Sequence, residues 1–107
     1  MPAVTAKIGL MLSTMQDLPL SVSRILEYGR STHATTKVTT WSPDGPQDST
    51  FSAIASRAAA FAHALRTRFQ IDGDQRVGTL LNNCAEHLEV MFGVMSMGAV
   101  FAPLNKQ

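Results

Sequence analysis

The sequence predicts an α/β fold: a small mixed sheet organised around one strand–helix–strand unit. Three observations carry that prediction. Two short apolar runs, Val77 to Leu81 and Val100 to Ala102, have the length and composition of buried strands. Between them Leu88, Met91, Phe92, Met95 and Ala99 recur at spacings of three and four, the period of one helix face. Upstream, Phe51, Ile54, Ala55, Ala58, Phe61, Ala62, Leu65 and Phe69 fall on a second helical face. A strand, helix and strand of this length favour parallel pairing of the strands through a right-handed crossover.

Taken in order, Met1 to Asp17 has no firm period, although Met11 and Met15 are one helical turn apart. Ser21 suits the N-cap of a helix running to about Tyr28, with Val22, Ile25 and Leu26 as its apolar stripe. Leu20 before the cap and Ile25 inside it have the spacing of a hydrophobic staple, and Gly29 is placed to end the helix. Ser31 to Thr36 is rich in Ser and Thr and reads as a loop. Lys37 to Trp41 alternates as a strand does. Pro43-Asp44-Gly45-Pro46 turns the chain, and Asp48 to Phe51 pairs back as the second arm of a hairpin.

Ser52 or Thr50 then caps the long helix, which runs to about Phe69 with Ser56, His63 and Thr67 on its polar side. Asp72-Gly73 breaks it and leads into the strand–helix–strand unit. There Asn82 and Asn83 supply caps, Glu86 and Glu89 lie near the positive end of the helix dipole, and Gly98 closes the helix where φ > 0 is expected. Burying Leu88, Phe92 and Met95 should contribute about 1.5–3 kcal/mol each. Pro103, which has no N–H to donate, ends the last strand.

At 107 residues the chain has room for one small domain. It is 45% hydrophobic and 16% charged, so it is neither disordered nor coiled-coil in character. Nine Lys/Arg against eight Asp/Glu leave a formal charge of +1, which gives no electrostatic reason to expect nucleic acid or a membrane surface. The stretch Val90 to Leu104 is too short and too interrupted by Gly93, Ser96, Gly98 and Pro103 to span a bilayer. Lys7 before Ile8 to Leu12 weakly imitates a signal peptide without a convincing cleavage site, and a cytoplasmic location is expected. Cys84 is the one cysteine, so no internal disulfide forms.

No residue stands out as catalytic, cofactor-binding or metal-binding. His33, His63 and His87 form no motif, and His63 on a polar helix face reads as a solvated surface residue. Cys84 and His87, three apart, offer two metal ligands where a structural zinc takes four and a catalytic one three. Cys84 reads as a packing residue in the absence of a partner base. Neither the dinucleotide-binding nor the Walker A glycine pattern occurs. Helix-dipole placement accounts for Glu86 and Glu89, helix packing or capping for Gly93 and Gly98, and core filling for most of the six methionines.

The order Gly73-Asp74-x-Arg76-Val77, Asn83-x-x-Glu86, Gly98-Ala99-Val100 and Pro103-Leu104-Asn105 resembles the amino-terminal segment of adenylate-forming, AMP-binding enzymes. Within that superfamily the chain is most similar to the fatty-acyl-CoA synthetases, or fatty-acid–CoA ligases. The likeness extends through Thr50-Phe51-Ser52-Ala53-Ile54 and loosely to Leu18-Pro19-Leu20-Ser21. It implies that residues 1–107 are a single incomplete domain, the amino-terminal part of the large domain. The parent reaction it implies activates a fatty acid with ATP and magnesium to an acyl-adenylate, then transfers the acyl group to coenzyme A.

The family's phosphate loop, magnesium-holding glutamate, ribose-binding aspartate and carboxy-terminal lysine match no residue here, so no cofactor is assigned to this chain. After Asn105 the family has proline where this sequence has Lys106-Gln107. The expectation is therefore a truncated segment, inactive alone and able to self-associate through an exposed sheet edge. The alternatives are a small protein-interaction module without catalysis and a non-functional remnant.

Overall fold

The computed structural model describes residues 14–105. Their order is α1 (Val22–Thr32), β1 (Lys37–Ser42), β2 (Gly45–Thr50), α2 (Phe51–Arg68), β3 (Arg76–Thr79), α3 (Ala85–Ser96) and β4 (Val100–Pro103). The apolar run Ile8 to Leu12, Met11 of the Met11–Met15 pair, and Lys106-Gln107 lie outside the described residues. The α/β class and the strand–helix–strand unit are as the sequence predicts: β3 and β4 pair in parallel, Arg76 opposite Val100 through Thr79 opposite Pro103. Antiparallel and parallel pairing are divided between two sheets of two strands each, the β1–β2 hairpin and the β3–β4 pair.

The helices α2 and α3 form the spine that joins those sheets. Around one end of it Ile54, Ala58 and Phe92 gather Val22, Leu26, Val38, Phe51 and Met91. Around the other Leu65, Val94 and Ala99 gather Phe61, Ile71, Val77 and Phe101. Ile54 and Val94 are fully buried, each worth about 1.5–3 kcal/mol relative to exposure. Contact between the two helices is close because Gly93 has no side chain: a Cβ there would lie 2.8 Å from the Ala58 carbonyl oxygen. The Phe51 and Phe92 rings then meet edge to face across the helix pair, with centroids 5.9 Å apart.

Several local details depart from the sequence reading. The first helix does not stop at Tyr28. Gly29 lies inside it and is buried, because the Phe51 ring occupies the place a Cβ would take. The helix extends through Ser31 and Thr32, where a loop was expected. Leu20 is fully exposed and Ile25 is exposed, so the staple does not form, and the Ser21 hydroxyl contacts Ser23 rather than capping the helix.

In the hairpin, β2 starts at Gly45, earlier than expected, and Phe51 belongs to α2. Ser42 pairs with Gly45 across a two-residue turn of Pro43 and Asp44, with Gly45 at φ +109°. Pro46 falls opposite Trp41 inside the strand. Alternation along the ladder makes that a position where no inter-strand N–H is required, so its missing donor costs no bond.

The α2 helix begins as expected, with the Thr50 hydroxyl accepting from the Ala53 N–H at 3.2 Å. It ends before Asp72-Gly73. Gln70 takes φ +56° and Ile71 N–H returns to the Leu65 carbonyl at 3.2 Å, which leaves Phe69 exposed rather than in the apolar face. The strand β3 stops at Thr79, whose carbonyl accepts the last ladder bond from Leu104 N–H at 2.8 Å, and Leu80 and Leu81 are exposed. Cys84, not Asn82 or Asn83, holds the N-cap position of α3. Met95, expected to be buried, is exposed, and Val94 takes the interior place.

The end of α3 is as the sequence predicts. Gly98 sits at φ +89°, its N–H bonds the Met95 carbonyl, and Ala99 N–H bonds the Val94 carbonyl at 3.2 Å, a complete Schellman closure.

These two glycines should respond differently to substitution. Gly98→Ala meets no atom within 4 Å and pays only for the left-handed backbone, about 1 kcal/mol. Gly93→Ala must push α3 away from backbone atoms of α2, at about 1–3 kcal/mol. Urea midpoints should therefore fall for both, and Gly98→Asn should recover part of its loss because asparagine tolerates that region. Equal midpoints for wild type and Gly93→Ala would contradict the close crossing.

Candidate functional site

A cleft of about 430 Å³ opens between β1, the first half of α3 and β4. Val38, Leu88, Met91 and Phe101 give it apolar walls, and Asn83, Cys84 and His87 line it with polar atoms. It is in the size range of small-molecule sites, and it brings together the two residues weighed as metal ligands.

Each of those two is already engaged. Thr79 Oγ1 and His87 Nε2 lie 2.9 Å apart, in hydrogen-bond contact whichever of them donates. The His87 ring also packs against Phe101, with centroids 5.5 Å apart. The Cys84 thiol lies beside the Glu86 carboxylate and helps to hold it low. Among the described residues no group of three or more His, Cys, Asp and Glu is placed to hold a metal ion. The geometry thus assigns His87 to holding the start of α3 against β3, while Cys84 serves the first turn of α3 itself. His63 is exposed, and His33 is exposed with its ring edge-on to Tyr28 at 5.4 Å.

The first N–H of α3 is satisfied from outside its own helix. Cys84 makes no side-chain cap bond; Ala85 N–H instead donates to the Thr40 hydroxyl of β1 at 3.0 Å. Glu86 folds back on the first turn. Its own backbone N–H, and next the Cys84 thiol, hold its carboxyl below the usual carboxylate range. The dipole placement expected of Glu86 therefore acts through direct hydrogen bonds.

Glu89 is different from what its sequence position suggested. It is buried at 8% exposure, and Arg57 Nε of α2 lies 2.9 Å from its carboxylate oxygens. That ion pair was missed in the sequence, although a signal existed: Glu89 lies three before Phe92 on an apolar face, where a carboxylate needs a partner. On the hairpin, Asp48 accepts from the Thr39 hydroxyl at 2.7 Å and pairs with Lys37 at 3.1 Å. Those contacts, the Thr39 bond first, hold its carboxyl low.

In fold, then, the chain is a helix pair carrying a hairpin on one side and the opening parallel strands of an α/β domain on the other. Residues 27–107 match the model of the AMP-binding enzyme family, and the chain belongs to that family. It is 29% identical over 96 residues to the 3-methylmercaptopropionyl-CoA ligase of Ruegeria lacuscaerulensis, a match covering 89% of this chain and 18% of that protein. Its structure resembles that of the anthranilate CoA ligase AuaEII in complex with anthranoyl-AMP. The TM-score is 0.68 at 26% identity, covering 85% of this chain and 18% of the other. The chain thus spans less than a fifth of the length of each.

Two predictions come from the site. Thr40→Val removes the acceptor for Ala85 N–H and should cost about 1 kcal/mol, with faster amide exchange at Ala85, while Thr40→Ser keeps both near wild type. An unchanged exchange rate in Thr40→Val would sink the remote cap.

The second concerns acid. Glu86 and Asp48 have folded pKa values depressed below their unfolded ones, so their stabilisation is present above the unfolded value of about 4 and lost as pH falls through the folded value. The urea midpoint of the wild type should drop between about pH 5 and about pH 3 more steeply than that of a Glu86→Gln/Asp48→Asn variant. Parallel curves would show that neither carboxylate is stabilised by the fold.

Proposed function

We propose that this chain is the amino-terminal part of a carboxylate-activating CoA ligase, with a fatty acid as the acid, acting in the cytoplasm. The single observation that carries the reading is the family match over residues 27–107, which takes in the whole strand–helix–strand unit and its punctuation. That two similar proteins are both CoA ligases supports the reaction type. The choice of a fatty acid rests on the likeness of the chain as a whole to the fatty-acid–CoA ligases within the AMP-binding superfamily. In the whole enzyme ATP, magnesium and coenzyme A would be the co-substrates. Among the described residues no helix is long and apolar enough to cross a membrane.

By itself the chain is expected to be inactive. Adenylation needs groups that grip a triphosphate, a metal bridging it, and donors aimed at the charge that develops during displacement. Here the acidic groups with defined partners are committed to Arg30, to Arg57, to Lys37 and to the start of α3. Purified protein incubated with ATP, magnesium, fatty acids of several lengths and coenzyme A should release no fatty-acid-dependent pyrophosphate. Release above a heat-treated control, with host ligase absent, would overturn this.

A second reading, a protein-interaction module, is favoured by what β3–β4 leaves open. Val100 and Leu104 of the segment through β4, and Leu80 after β3, are exposed and apolar on a sheet only two strands wide. Such surfaces promote association between chains. Sedimentation velocity should show the weight-average mass rising with protein concentration, and Val100→Lys with Leu104→Lys should suppress the rise. A wild type that stays monomeric at every concentration, with a sharp cooperative melt, would contradict the self-association expected of a truncated segment and lend weight to the interaction module.

A further inference from the structure

We draw no further inference here: the strongest candidate, the apolar outer surface of the β3–β4 sheet at Leu80, Val100 and Leu104 together with the cleft between β1, α3 and β4, carries nothing more because nothing in the structure shows what covers it.

Discussion

The approach of α3 to α2 at Gly93 is the constraint on which the other contacts depend. A helix crossing in which one Cβ would sit 2.8 Å from a facing carbonyl oxygen leaves no slack for either helix to slide. It fixes which residues of α3 face α2, and so which sheet each end of the pair can reach. Phe92 points toward the hairpin end and Val94 toward the parallel strands. With the crossing set, Phe51 can occupy the space left by Gly29, which seats α1 against the same end of the spine. Two glycines far apart in sequence therefore act on one packing arrangement: one admits a backbone, the other a ring.

Polar contacts then sharpen the rotation of α3 that the crossing sets. Arg57 reaches Glu89 from α2, Thr40 reaches Ala85 N–H from the hairpin, and Thr79 reaches His87 from β3. Each comes from a different element, and all three act on the first half of one helix. The apolar contacts are tolerant of small rotations, whereas these bonds have narrow distance and angle ranges. Arg57 is largely exposed, so the pair adds orientation more than energy. Its value lies in keeping the buried Glu89 carboxylate from standing unpaired.

Elements whose determinants are local were legible in the sequence. The α2 helix, its Thr50 cap, the parallel pairing of β3 with β4 and the positive φ of Gly98 each follow from residues within one or two turns. What escaped was set by partners distant in sequence. Gly29 carries the same residue type as a helix terminator, and only the Phe51 ring makes it an interior residue. Asn82 and Asn83 have cap chemistry, yet a hydroxyl 45 residues upstream decides where α3 begins. Glu89 has the position of a dipole partner and the burial of a core residue, and Arg57, 32 residues away, resolves the difference. At Cys84 and His87 the spacing was visible, but the engagement of His87 by Thr79 of β3 was not.

The residues that carry the family likeness also explain why it identifies an architecture more sharply than a substrate. Gly73 and Gly98 hold φ of +86° and +89°, so they are required by backbone shape before β3 and between α3 and β4. Glu86 bonds its own helix start, and Pro103 closes the ladder opposite Thr79. Arg76 opens β3 opposite Val100 and is exposed. Of the residues that carry the likeness, Asn83 and Pro103 line the cleft at Cys84 and His87, Pro103 as a strand residue. The main duty of the set is to make a strand, a helix and a second strand meet at fixed angles, and that duty is the same whichever acid a ligase activates. Discrimination between acids requires groups that touch the acid. A segment whose shared residues serve mainly backbone geometry can therefore place a chain in the AMP-binding family without deciding the acid.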